Sequence, residues 1–274
     1  MHPALPPLPP GVTPAQFIVC TVAAVILLGI AKAGFGGGIG IVAVPLTIAV
    51  LDPRAGLGFM LPILIAGDVL SYLHHRHNRS DRHCRWLTLG AFGGIILASV
   101  LLLALQDAGA GLDAEQHSAT INRILYLVVG GSCLLMVVAQ AYRLLGGRAP
   151  RIPPTANAGY ATGGLAGFVS TLAHSAGPII NVYLLEQELD KSLHVGTAVL
   201  FYFFVNLAKL PAYIGLGYVT ASTFRTSLLF MPLMPVGTLT GAWMHKHMPE
   251  KPFALVMYVG AAVGAVWMLW SARH

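Results

Sequence analysis

The sequence predicts an all-α polytopic membrane protein built from two inverted repeats, each a glycine-broken helical hairpin followed by about three full transmembrane helices. Three observations predict it. Of 274 residues, 56% are hydrophobic and only 9% charged, far less charge than a soluble chain of this length carries. Several apolar runs approach or exceed the ~20 residues that cross a hydrocarbon core about 30 Å thick. Two apolar segments, 15–51 and 158–185, are broken at Gly34-Phe35-Gly36-Gly37-Gly38 and at Ala173-His174-Ser175-Ala176-Gly177-Pro178, and the same landmarks follow each in the same order. One constant offset in numbering sets Asp52 on Asp190, Gly58 on Gly196 and Asp68 on Asn206, and a slightly larger one sets Gly94 on Gly237 and Ala98 on Gly241. An ordered series of this kind is the signature of internal duplication.

The elements follow in order. Residues 1–14 hold six prolines and no Lys or Arg, so they read as a short extended tail without the basic start of a signal peptide. The first repeat occupies 15–145, a linker 146–157 and the second repeat 158–274. Full spans are expected at 54–73, 87–105, 121–143, 193–217, 224–244 and 253–271. Segment 158–185 is barely long enough for two shortened passes and reads as a hairpin dipping to mid-depth; segment 15–51 is longer and has the length to cross twice. The loops differ in charge: 74–86 carries Arg76, Arg79, Arg82 and Arg85, 143–151 carries Arg143, Arg148 and Arg151, and 245–251 carries Lys246 and Lys251, whereas 106–120 holds only Asp107, Asp113 and Glu115 and 218–223 holds no charge. The first three are therefore cytoplasmic and the last two external. That threading puts Asp52 outside and Asp190 inside, which inverts the repeats. The distribution of the Lys and Arg residues behind the formal charge of +6 thus sets topology, and nucleic acid is not an expected partner; the lipid bilayer is.

Backbone that leaves helical geometry inside a bilayer is tolerated only when it is buried in protein or lines a wet cavity. Free amides at a restarting half-helix also face the positive end of its dipole, a ready anion site. Paired broken helices in inverted repeats are the plan of secondary transporters, with substrate between the repeats. Gly36, Gly37 and Gly38 are therefore candidate amide donors to a small anionic substrate; close helix packing is the competing reading, and it is the preferred one for Gly130 and Gly131. On span 193–217, Tyr202, Asn206, Lys209 and Tyr213 fall on one helical face. Asp68, Ser71, Tyr72 and His75 make a similar face in the first repeat. Ionisable groups at such depth are functional candidates: Lys209 as substrate or coupling residue with a stem long enough to snorkel part of the way out, Asp68 as a coupling group, Lys32 as site cation or edge anchor. His174 and Ser175 at the second break are candidate side-chain donors.

Other chemistry is not indicated. His74, His75, His77, His83 and Cys84 match no zinc spacing and read as a solvated basic loop. Cys20, Cys84 and Cys133 read as small hydrophobes plus one free loop thiol. There is no nucleophile elbow, no metalloprotease motif and no Walker loop, so neither an enzyme nor an ATP-driven pump is expected, and no cofactor or resident metal.

The chain resembles the TauE/SafE group, the sulfite exporter and related permeases, from about residue 15 to 271. The resemblance rests on Gly34 to Gly38 with Val44-Pro45-Leu46, on Gly58, on the loop of His74 and Asp81, on Gly90 to Gly94, on Gly163-Gly164-Leu165-Ala166-Gly167-Phe168-Val169-Ser170, and on Lys209-Leu210-Pro211. It implies a multi-pass bacterial cytoplasmic-membrane protein that moves sulfite or an organosulfonate, with a homodimer as the expected assembly. The sequence departs from the pattern at 173–178, where His174 stands in a cluster that is usually glycine-rich. Two rival readings remain at this stage: a cation or metal transporter using Asp68, His174 and free carbonyls, and a membrane scaffold whose spans only pack.

Overall fold

The structure, a computed structural model, describes residues 8–34, 41–75, 78–107, 114–147, 151–247 and 250–273. These form eleven helices and, among the described residues, no strand: α1 (Pro14–Gly34), α2 (Ala43–Ile48), α3 (Pro53–His75), α4 (Asp81–Asp107), α5 (Ala114–Leu144), α6 (Ala156–Ala173), α7 (Gly177–Leu185), α8 (Lys191–Gly215), α9 (Ala221–Phe230), α10 (Leu233–His247) and α11 (Glu250–Ser271).

Polar caps start five of them. Thr13 and Gln16 form a reciprocal capping box ahead of α1, with Pro14 as its first residue. Thr220 and Thr223 do the same for α9, and the Thr155 hydroxyl caps α6. Asp52 accepts from the Ala55 amide at 3.0 Å to start α3, and Asp190 accepts from the Leu193 amide at 2.9 Å to start α8. The offset that sets Asp52 on Asp190 also sets Ala55 on Leu193, so the two caps match donor for donor and acceptor for acceptor.

Five helices among the described residues are long and apolar enough to cross a membrane, six when α9 and α10 count as one bent span. Their outer faces leave large apolar side chains uncovered, such as Leu239 at 73% and Ile96 at 63% exposure. In water this belt would be an aggregation surface; in a bilayer it is the lipid face.

The bend corrects the expected continuous span at 224–244. α9 ends at Phe230 and α10 restarts at Leu233 at 46° to it, because Pro232 offers no amide and its ring displaces the preceding turn. Segment 15–51 also differs from the double crossing its length allowed. α1 alone meets the length of a span, while the six residues of α2 rise only about 9 Å. Segment 158–185 has unequal arms, since α6 rises about 27 Å and α7 about 14 Å. A third correction concerns His83 and Cys84, expected in a solvated loop. α4 begins at Asp81, and both side chains are buried, with His83 edge-on to Tyr183 and Trp86; an N-terminal helical turn that packs on α7 is no longer free to hydrate. His77 of the same group lies outside the described residues.

Packing follows the glycines. α4 lies parallel to α6 and α1 parallel to α10. A Cβ on Gly94 would collide with the Gly164 carbonyl and sit 2.8 Å from the Phe168 amide nitrogen, and a Cβ on Gly29 would lie 2.8 Å from Gly237 Cα. Such small-on-small seams give helices in lipid the contact that the hydrophobic effect does not supply there. α5 packs along α11, and α3 crosses α8.

Candidate functional site

Asp68 is the sixteenth residue of α3 and Asn206 the sixteenth of α8. Both are buried at the crossing of the two helices, and the Asn206 amide donates to Asp68 Oδ2 at 2.6 Å. The other carboxylate oxygen takes an ion pair from Lys32, in the last turn of α1, whose ammonium also donates to the Leu64 carbonyl at 3.0 Å. Gly67 makes room for this lysine, since a Cβ there would lie 3.2 Å from Lys32 Cδ. The carboxylate thus has one cation and one amide, and its charge is matched.

Three residues further along α8, Lys209 meets the second break. Its ammonium donates to the Ser170 carbonyl at 3.1 Å and lies 3.0 Å from Ser170 Oγ and 3.0 Å from His174 Nδ1. The side chain is wholly buried, so it turns inward and does not snorkel. His174 ends α6 in the left-handed region, φ 50°, with its own amide on the Ser170 carbonyl at 2.9 Å; histidine tolerates this conformation better than branched residues do. Its Nε2 lies 3.0 Å from the Leu57 carbonyl. A carbonyl only accepts, which assigns the proton to Nε2 and leaves Nδ1 as acceptor for Lys209 in a neutral ring.

The two clusters together hold two ammonium groups, one carboxylate and one neutral imidazole. Asp68 and Lys32 both lie in Coulombic range of Lys209, yet the direct partners of Lys209 are a carbonyl, a hydroxyl and a ring nitrogen. The C-terminal end of α6 offers it roughly half a negative charge. A buried cation of this kind is left short of countercharge.

The remaining candidates divide. Tyr202 places its hydroxyl 3.5 Å from the Gly177 carbonyl at the start of α7, so it borders the break. Tyr213 donates to the Thr171 carbonyl at 2.7 Å, completing a polar face of α8 on which Asn206, Lys209 and Tyr213 are buried in protein and Tyr202 is partly buried. Ser175 donates to the Ala173 carbonyl at 2.9 Å and sits 3.8 Å from Cys133 of α5, with no bond to Lys209. Tyr72 stacks on Phe203. Gly36, Gly37 and Gly38 lie outside the described residues.

Ser170 is the residue that sequence reading did not single out. Two signals pointed to it. It stands four residues before His174, so a helix ending there turns its carbonyl toward the histidine amide, and the offset that sets Asp68 on Asn206 sets Lys32 on Ser170.

Compared with known proteins, residues 21–268 match a family model described as Sulfite exporter TauE/SafE. No curated protein and no solved structure matches the chain.

Proposed function

Because the chain belongs to the sulfite exporter TauE/SafE family, a family of membrane transporters, we propose that it is a secondary permease for a small oxyanion or organosulfonate, working in a bacterial cytoplasmic membrane. The observation that carries this reading is Lys209, a fully buried ammonium with only neutral partners. An oxyanion drawn to it competes with the Ser170 carbonyl and His174 for its three donors, and supplies the countercharge that the end of α6 provides only in part. Asn206 and Tyr202, on the same face, orient the substrate. Ser175 and the amides of Gly36, Gly37 and Gly38 contribute further donors from the two breaks. Lys32 and Asp68 form the neighbouring charge pair that senses occupancy and couples it to the α3–α8 crossing. Since Lys209, Asp68 and Asn206 are all buried, substrate reaches them only when the helices shift, as alternating access requires.

A two-repeat architecture, 15–145 and 158–274 about a linker, has support in matched contacts. Gly94 approaches Gly164, and Gly237 approaches Ile26; the two sequence offsets carry Gly94 onto Gly237 and Ile26 onto Gly164. α1 and α10 run parallel toward the basic segment 245–251, whereas α4 and α6 run parallel away from the basic segments 74–86 and 143–151. With basic segments inside, these two pairs point in opposite directions, as inverted repeats require.

The test is thermal unfolding of the purified protein with sulfite, sulfoacetate, sulfate and divalent cations, followed by flux of the stabilising anion in lipid vesicles. A ligand at 100 times its Kd stabilises by about 2.7 kcal/mol. Stabilisation by a sulfur oxyanion is expected, abolished in Lys209→Met, which removes the charge but keeps a long unbranched side chain, and partly kept in Lys209→Arg. An undiminished anion response in a folded Lys209→Met protein, or a response to cations alone, would sink the proposal.

A further inference from the structure

A second basic site lies at the opposite end of α6 from Lys209. Where α4 and α6 begin, Arg82, Arg85, Trp86, Leu89 and Tyr160 line a concavity of about 380 Å³. No lining residue is acidic. The Arg82 guanidinium lies 4.5 Å over the Trp86 ring and donates to the Pro154 carbonyl at 3.3 Å, which fixes its plane. Arg85 is exposed and has no ion-pair partner among the described residues. The wall opposite is set by the glycine seam: a Cβ on Gly90 would lie 2.8 Å from Tyr160 Cα, so this close approach brings Tyr160 beside the arginines.

Below the arginines the chemistry changes. Arg85, Leu89, Phe92 and Ile96 stand at i, i+4, i+7 and i+11 of α4, one face of the helix, and the three apolar members are exposed. That stripe runs about 16 Å from Arg85 to Ile96, half the depth of a hydrocarbon core. A free anion has no use for it; an acyl chain does. Basic residues on the cytoplasmic side beside an aromatic pair at interface level match a phosphate-bearing headgroup.

We propose that this concavity binds an anionic phospholipid, its phosphate held by Arg82 and Arg85, its glycerol region against Trp86 and Tyr160, and one acyl chain along Leu89, Phe92 and Ile96. Bound there, the lipid bridges the N-terminal ends of α4 and α6 and so clamps the seam that leads to the second break. The site is independent of which solute the protein carries.

The test is native mass spectrometry of the full-length protein titrated with phosphatidylglycerol, phosphatidylcholine and inorganic phosphate. Phosphatidylglycerol is expected to bind about fivefold more weakly for each arginine removed, in Arg85→Ala and in Arg82→Ala/Arg85→Ala. Arg143→Ala, at another basic segment, leaves it unchanged, and phosphatidylcholine and inorganic phosphate stay at background. Equal phosphatidylglycerol binding by parent and Arg85→Ala overturns the proposal, as does equal binding of phosphatidylcholine; inorganic phosphate binding as tightly as the lipid replaces it with a free-anion site. Arg85 is exposed, so its single variant keeps the test open even if the double variant does not fold.

Discussion

A carboxylate, an amide and two lysines, each meeting a partner from another helix, define the centre of this protein. Removing one member of a buried ion pair strands the other, at about 3–5 kcal/mol. Asp68→Asn is therefore expected to lower stability by that order, read as a thermal shift in detergent, because Lys32 loses its only anionic partner among the described residues. Asn206→Asp brings a second carboxylate to a 2.6 Å contact and should destabilise too, since like charges at that distance cannot both ionise freely. The exchange Asp68→Asn/Asn206→Asp restores one donor and one acceptor at the crossing. It should be more stable than the sum of the two single changes predicts; strict additivity would mean the pair is not coupled. Asp68, Asn206 and Lys209 were legible in the sequence because polar residues on one face of an apolar helix need a reason to be there. Ser170 was not, because a serine in lipid can bond its own helix, and neither its spacing to His174 nor its match to Lys32 tells that it serves a lysine 39 residues away.

Helices here are positioned by what their glycines touch, and this separates glycines that look alike in sequence. Gly94 and Gly237 face neighbouring backbone, whereas at Gly93 and Gly131 an added Cβ would meet nothing within 4 Å. Gly94→Val or Gly237→Val should force α4 from α6 or α1 from α10, lowering stability by about 1–3 kcal/mol or more. Gly93→Ala and Gly131→Ala should be neutral or gain up to about 1 kcal/mol from helix propensity. Thermal unfolding of the four variants checks the division, and equal losses in all four would refute it. Element type was readable from apolar run length throughout, but breaks were read unevenly. The Ala173–Pro178 cluster announces its own, whereas the one before α10 is hidden because Pro232 and Pro235 sit in an otherwise apolar run, and proline inside a membrane helix is often accommodated. α3 and α8 each carry one, Pro62 and Pro211, without ending.

For the molecule as a whole, the distribution of arginine and lysine is the ground for the orientation proposed above, and cysteine labelling tests it directly. The native thiols offer a quiet background, since Cys84 and Cys133 are buried and Cys20 lies within α1. Asn78→Cys should react with an impermeant maleimide only after the membrane is opened, and Ala221→Cys in intact cells; the reverse pattern would invert the orientation proposed above. Beyond orientation, the bond between Asp68 and Asn206 bears on how such a chain can change over time. On the two-repeat architecture proposed above, identical halves would set aspartate against aspartate or asparagine against asparagine at this central contact, with either a repulsion or no partner for Lys32. On that reading, one difference at this position converts a symmetric meeting point into a complementary one. Neither of the proposed halves could then replace the other, and two copies of either one alone would lack the complementary contact.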